Sequence, residues 1–167
     1  MLNMLFSEMI RYYRGDPKRI QHFVKVHSFA KLIGEMEHAD AQTMEILEAA
    51  AYVHDIGIKA AEEKYGSCSG KLQEQEGPAI AGEMMEGLGF DRKVTARVCY
   101  LVGHYHTYTN VDGIDYQILL EADFLVNLYE DNCSRETAAS ACEKIFRTQS
   151  GKQICETMFG LKEKDDK

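Results

Sequence analysis

Apolar residues recur at intervals of three and four positions through most of this chain, the spacing that places them on one face of an α-helix. The segment "DPKRIQHFVKVHSFAKLIGEMEH", residues 16–38, shows it clearly, because Asp16-Pro17 is typical of an N-cap followed by the first residue of a helix. Few stretches alternate apolar and polar residues in the way that half-buried strands do. The pattern therefore predicts an all-α fold.

The same pattern divides the chain into eight predicted helices. They cover the N-terminal segment to about residue 14, then about 16–38, 43–54, 78–87, 91–104, 115–129 and 134–146, and a short C-terminal helix that ends near residue 160. Two loops are predicted, at residues 64–78 with one helical turn near Leu72, and at 106–115, where turn-forming residues are frequent. The charged tail from residue 161 is predicted to be frayed. Such short connections predict a single-domain helical bundle.

Composition and charge narrow the function classes. A chain of 167 residues that is 45% apolar suits one folded domain with its own core. The formal net charge is −8 and no basic block occurs, so binding to long nucleic acid or to an anionic membrane is disfavoured. A small phosphorylated ligand stays compatible with this charge, because a metal or a few local cations can reverse the sign inside a pocket.

The cysteines and the N-terminus predict a cytoplasmic location. The five cysteines are odd in number and include no C-x-x-C pair, which favours reduced thiols. Glu8 and Arg11 follow only a short apolar stretch, so we expect no signal peptide. No apolar run approaches the roughly 18 residues of a membrane helix.

Four acidic or imidazole side chains are predicted to lie on helices among apolar neighbours: His22, His54, Asp55 and Asp123. A carboxylate inside "ILLEADFLVNLY", as Asp123 is, needs a partner in the core or at its edge, most commonly a cation. Two histidines and two aspartates suit one divalent transition metal, such as Mn, Fe, Co, Ni or Zn. Taken singly, each residue is also compatible with ordinary hydrogen bonding, and the set is what favours a metal.

The order of these residues resembles the HD superfamily of metal-dependent phosphohydrolases over about residues 18–130. The opening helix of that family matches "HFVKVHSFA", with His22, Val26 and Ala30 in register. His27 is the alternative first ligand, because it too is followed by serine. The namesake His-Asp pair matches "HDIGIK", and the last aspartate of the family matches "EADFLV".

The resemblance implies one HD-type domain across residues 1–167, with C-terminal helices at about 134–160 after the motif-bearing core. It also implies that the four residues above are the metal ligands. Some family members hold a second metal with further histidines. Here Gln73, Glu74 and Glu76 occupy the place of one of those histidines, and His104 fits the place of the other. One metal is therefore favoured, and a second ion is the lesser alternative.

By the same resemblance, the expected reaction is hydrolysis of a nucleotide or another small phosphate ester. Asp55 is expected to bind the metal and to take part in proton transfer from the attacking water, and His104 is the second candidate catalytic residue. Lys59, His106 and Glu76 are candidate contacts to the substrate, together with His104.

Two other function classes stay open. One is a noncatalytic regulatory domain that binds a metal or a nucleotide. The other, less favoured, is an oxygenase with two irons, as in a minority of the family. The methionine-rich segment "MLNMLFSEMI" can supply a partner surface, so a homodimer is a further expectation.

Overall fold

The computed structural model describes residues 1–162, which form nine α-helices and contain no strand. The helices are α1 (Leu2–Tyr12), α2 (Pro17–Met36), α3 (Ala41–Val53), α4 (Gly57–Tyr65), α5 (Gly70–Gly87), α6 (Arg92–Val102), α7 (Ile114–Glu130), α8 (Arg135–Lys144) and α9 (Gln149–Met158). The predicted all-α fold is confirmed. Most of the tail that was predicted to be frayed, residues 163–167, lies outside the described residues.

Side-chain caps begin several helices where the sequence pattern placed them. The Asp16 carboxylate accepts a hydrogen bond from the backbone N–H of Arg19, and Pro17 is the first residue of α2. Asp91 and Ser134 cap α6 and α8 in the same way. These side chains satisfy backbone donors that have no partner within the first helical turn.

The largest departure from the sequence prediction lies between residues 57 and 77. Residues 57–65 form a helix of their own, and α5 begins at Gly70, with Pro78 inside it rather than at its start. A Cβ atom on Gly57 would lie 2.6 Å from the backbone oxygen of Gln73 and 2.8 Å from the backbone nitrogen of Gly77. Glycine therefore lets the backbones of α4 and α5 touch, and this packing favours helix where the local sequence reads as loop.

The start of α7 also differs from the prediction. Its N-cap is Gly113, and the helix begins at Ile114, whereas the sequence pattern predicts a start near Asp115 with that residue as the cap. The Asp115 carboxylate instead accepts hydrogen bonds from Nε and Nη2 of Arg97, each at 2.8 Å. The loop before α7 is thereby tied to α6.

The core of the bundle lies where α2, α3 and α7 meet. α2 packs against both α3 and α7, α3 also contacts α6, and α5 lies between α4 and α6. Phe23, Leu47 and Leu125, from the three central helices, are fully buried. This arrangement brings one side chain of α2, the end of α3 and the middle of α7 to a common point.

One buried carboxylate of α7 binds the connection between the last two helices, which also pack on the core through Cys142, Phe146 and Cys155. Glu121 of α7 is 0% exposed, and its Oε1 accepts hydrogen bonds from the backbone nitrogens of Arg147 at 2.6 Å and Thr148 at 2.9 Å. The connection between α8 and α9 is therefore held against α7. Within residues 1–162, none of the helices combines the length and hydropathy needed to cross a membrane.

Candidate metal centre

The four predicted ligands lie at one point of the structure, although they come from distant parts of the sequence. His22 is on the first half of α2, and Asp123 is in the middle of α7. His54 and Asp55 occupy the tight turn between α3 and α4. The hydroxyl of Tyr13 supports this turn by donating a hydrogen bond to the backbone oxygen of Asp55 at 2.8 Å.

The distances between the donor atoms fit a single metal ion. Nε2 of His22 lies 3.2 Å from Nε2 of His54, 3.2 Å from Oδ1 of Asp123 and 3.4 Å from Oδ2 of Asp55. The four ligand atoms all lie within 4.8 Å of one another. Metal–ligand bonds of about 2.1 Å place neighbouring donors about 3.0–3.4 Å apart in octahedral or tetrahedral geometry. In the described part of the chain, these four residues are the one such group that can hold a metal.

A buried oxygen gives independent support for a cation at this point. Asp123 is only 8% exposed, and its Oδ1 is buried. This oxygen nevertheless has no hydrogen-bond partner among residues 1–162. An ionised oxygen without a partner is costly in the core, and a metal ion is the usual compensation. The donor set therefore fits a divalent transition metal.

Hydrogen bonds to the outer ring nitrogens orient both imidazoles. Nδ1 of His22 lies 3.0 Å from Oε2 of Glu130, and Nδ1 of His54 lies 2.9 Å from the backbone oxygen of Ala51. Lys25 holds Glu130 in turn, with Nζ 2.6 Å from Oε1. With Nδ1 as the donor in each ring, both Nε2 atoms face the cluster, as metal-binding histidines require.

The two carboxylates and two imidazoles of the cluster shift the pKa values of one another. Burial opposes a charged imidazole at His22, but the carboxylates of Asp123 and Asp55 outweigh it and raise the pKa of His22 to about 11. Burial also opposes ionisation of Asp123, yet the two imidazoles beside it hold the pKa of its carboxyl well below the usual range. Protons on the imidazoles thus balance the charge of the two carboxylates, and a metal ion bound at this cluster would displace them.

The alternative first ligand, His27, lies elsewhere. Its Nε2 is 2.9 Å from Oε2 of Glu48, and its ring stacks on Tyr52 with a centroid distance of 4.1 Å. His27 is therefore a packing residue between α2 and α3. The structure groups His22 with the other three predicted ligands.

Two cavities open on either side of this cluster. The first, of about 240 Å³ and here called the Lys18 cavity, is lined by Asp16, Lys18, Arg19, His22, Phe23, Asp55, Ile58, Asn127 and Glu130. The second, of about 360 Å³ and here called the Tyr108 cavity, is lined by Asp55, Gln73, Tyr105, His106, Tyr108, Asp123, Phe124, Asn127 and Asp131. Asp55 and Asn127 line both cavities, so a ligand at the cluster can extend to either side.

Three predicted functional residues do not line either cavity. His104 is exposed, and its Nδ1 is bonded to the backbone oxygen of Tyr100 at 2.7 Å. Nζ of Lys59 donates to the backbone oxygen of Tyr12 at 3.2 Å, on the side of α1. Glu76 pairs with Lys64 of α4 and accepts a hydrogen bond from the hydroxyl of Tyr65 at 2.9 Å. In the structure these three side chains are held by other partners and do not line the cavities beside the cluster, and their roles stay predictions.

His106, the first residue of the second predicted loop, lies beside the cluster. Its Nε2 lies 3.9 Å from Oδ1 of Asp55 and 2.9 Å from Oε1 of Gln73. The Gln73 amide is oriented by its own Nε2, which donates to the backbone oxygen of Cys68 at 2.6 Å. Oε1 therefore acts as acceptor, and His106 carries its proton on Nε2. A Cβ on Gly70 would come within 2.9 Å of the His106 ring, so glycine makes room for it.

Several residues at the site had no part in the sequence prediction. Asn127 and Glu130 follow Asp123 by four and seven positions on α7, so helical spacing alone could have placed them on the same face. Lys18 had no such signal, since it is one of many surface lysines in the sequence.

Comparison with known proteins bears on the fold. No protein-family model matches the chain, and no curated protein matches it. Among solved structures, the chain is similar to the crystal structure of a predicted HD superfamily hydrolase from an uncultured Thermotogales bacterium. The two are 23% identical, the match covers 96% of this chain and 83% of the other, and the TM-score is 0.64. At this identity the likeness establishes architecture, and this protein therefore has the all-α HD-domain fold.

Proposed function

We propose that the protein is a metal-dependent phosphohydrolase that acts on a nucleotide or another small phosphate ester. The observation that carries this proposal is the group of two imidazoles and two carboxylates between two open cavities. Inside it lies the buried Oδ1 of Asp123, which has no hydrogen-bond partner among residues 1–162. The HD-type sequence motifs agree with it, and so does the similarity to a predicted HD superfamily hydrolase. One divalent transition metal, Mn, Fe, Co, Ni or Zn, is the proposed cofactor.

When bound, such a metal supplies an acidified water and neutralises charge on a phosphoryl oxygen. His22, His54, Asp55 and Asp123 hold it, and Asp55 also lies at the border of both cavities, where it can take the proton of the attacking water. The water oxygen forms a new bond to phosphorus while the ester P–O bond breaks. The leaving oxygen takes up a proton from an acid at the site and departs as an alcohol, and the proton released by the water replaces the one that this acid gave up.

His106 takes over the catalytic role that the sequence had indicated for His104. It is the imidazole at the edge of the Tyr108 cavity, 3.9 Å from Asp55, and its Nε2–H, which bonds to Oε1 of Gln73 in the structure, can turn from that oxygen to the leaving oxygen of a bound substrate. Asn127 lines both cavities, so its amide can bind a phosphoryl oxygen of a substrate that extends to either side.

Metal analysis and a phosphatase assay test the proposal together. We expect about one transition metal per wild-type chain, lost in Asp55→Ala and His22→Ala, and hydrolysis of p-nitrophenyl phosphate or nucleotides with Mn, Co or Ni. His106→Gln should lower kcat by about 10²–10⁴-fold. His104→Gln is the matched control, because the same substitution two residues away alters a side chain outside both cavities.

Other outcomes point to the alternative functions. A bound metal without turnover of any ester would favour a regulatory domain. Two irons per chain would favour an oxygenase. Equal losses of activity in His104→Gln and His106→Gln would contradict the proposed role of His106.

A further inference from the structure

We propose that the Tyr108 cavity holds the leaving group of the substrate, and that this group is an uncharged, ring-bearing alcohol. Asp131 and Tyr108 are the specificity-determining residues, and substrates with one phosphate are preferred over polyphosphates. This inference rests on the proposed function and narrows its substrate class.

The two cavities differ in their charged side chains, because the Lys18 cavity combines two basic residues with three carboxylates, of Asp16, Asp55 and Glu130. Within residues 1–162, the lining of the Tyr108 cavity contains no lysine or arginine but has three carboxylates, of Asp55, Asp123 and Asp131. Two of these belong to the metal cluster, so a divalent ion offsets them. Asp131, exposed at the C-cap of α7, remains as a negative charge at the cavity that no basic side chain among residues 1–162 pairs with. A second phosphate in this cavity would meet that charge without a basic side chain to balance it.

The Lys18 cavity provides the contrasting environment. Arg19 lines it but is engaged with Glu62, with Nη2 2.7 Å from Oε1 and Nη1 3.0 Å from Oε2. Lys18 is exposed and has no acidic partner within 4.0 Å in the described part of the chain. A basic side chain is thus available on the side of His22, where it can approach the oxygens of a phosphate held at the cluster.

Aromatic side chains shape the Tyr108 cavity for a ring. Tyr108 and Phe124 meet edge to face with their centroids 5.4 Å apart, and Tyr105 forms the buried floor. Tyr108 is 51% exposed, so part of its ring is free to contact a ligand. His106 lines the same cavity, which places the candidate proton donor beside the group that must accept the proton. Ring stacking, an absence of basic residues and a nearby donor all suit a neutral cyclic alcohol.

A charge series of substrates and variants tests the selectivity. With Mn as metal, kcat/KM is measured for adenosine mono-, di- and triphosphate in wild type, Asp131→Asn and Asp131→Lys. We expect the kcat/KM of the wild type to fall about threefold to tenfold for each added phosphate. The ratio of kcat/KM for the diphosphate to kcat/KM for the monophosphate should rise about threefold in Asp131→Asn and about tenfold in Asp131→Lys. Lys18→Gln should lower kcat/KM by the same factor for the monophosphate and the diphosphate.

A second measurement follows the ring without turnover. Binding of adenosine, the neutral leaving group, is titrated calorimetrically to wild type, Tyr108→Ala and Tyr108→Phe. Loss of the ring that stacks on the ligand should weaken adenosine binding at least about fivefold in Tyr108→Ala. Tyr108→Phe keeps a ring and should bind adenosine as the wild type does. In turnover, Tyr108→Ala should raise KM for the adenosine ester while KM for ribose 5-phosphate stays constant.

The outcomes separate this inference from the proposed function. Hydrolysis of the triphosphate as fast as the monophosphate, or a preference that responds to Lys18 and not to Asp131, would overturn the inference and leave the phosphohydrolase standing. Absence of turnover for every ester would reject the proposed function. In that case the adenosine titration alone tests the Tyr108 cavity. Equal adenosine affinity in wild type and Tyr108→Ala would refute the assignment of this cavity to the leaving group.

Discussion

Removal of one carboxylate, in Asp123→Asn, tests the metal centre through the stability of the whole fold. Asparagine keeps the shape of the side chain but presents a neutral amide in place of the charged oxygens. Oδ1 of Asp123 lies 3.2 Å from His22 Nε2 and 3.4 Å from His54 Nε2, so the substitution alters the centre of the donor set. We expect the variant to fold and to lose its response to metal.

The magnitude follows from binding to the folded state alone. A metal at about 100 times its Kd stabilises the folded protein by about 2.7 kcal/mol. For a chain of this size, 1 kcal/mol moves Tm by about 2–4 °C. Adding Mn, Co or Ni to chelator-treated wild type should therefore raise Tm by roughly 5–11 °C, and Asp123→Asn should show little of that rise.

The assay is thermal unfolding by far-UV circular dichroism, with and without added metal. Asp112→Asn is the control, because it makes the same substitution at an exposed carboxylate paired with Arg97. It should keep the full metal-dependent rise. A wild type whose Tm ignores all of the metals, or an Asp123→Asn variant that keeps the full rise, would refute the assignment of the cluster as a metal centre.

Three further substitutions test how the site and the fold are supported. Glu130→Gln should lower metal affinity about 10- to 100-fold, measured by competition with a chelator, because Glu130 fixes the ring of His22 through Nδ1. Gly57→Ala should destabilise the fold by about 1–3 kcal/mol in urea unfolding, since the added methyl would meet the backbone of α5 at 2.6 Å. Glu121→Gln should cost about 1.5–3 kcal/mol in the same assay, because the buried carboxylate accepts several hydrogen bonds from the connection between α8 and α9.

Matched variants separate these effects from general damage. Gly87→Ala places its methyl in open space and should change stability by no more than about 1 kcal/mol. Glu136→Gln alters an exposed carboxylate, and a change within about 0.5 kcal/mol is expected. Stability losses as large as those of Gly57→Ala and Glu121→Gln would contradict the close-contact and buried-carboxylate explanations. Unchanged metal affinity in Glu130→Gln would show that His22 is oriented without it.

The sequence alone determined the helical class and the four candidate ligands. Helical periodicity is a local property, and caps such as Asp16 and Asp91 act within one turn, so both can be recognised without tertiary contacts. Asp123 was detectable because a carboxylate in an apolar helix stands out, and the spacing to the His-Asp pair followed from the family resemblance.

Only the tertiary structure decided which further side chains reach the cluster. His104 and His106 are two positions apart at the end of α6, and the direction of each depends on how the following loop packs, which local spacing does not determine. Nζ of Lys59 donates a hydrogen bond to the backbone oxygen of Tyr12 at the end of α1. α5 begins at Gly70 because its backbone packs against α4 at Gly57. Each of these outcomes depends on a contact between residues distant in sequence, and that is the physical reason why local pattern could not predict them.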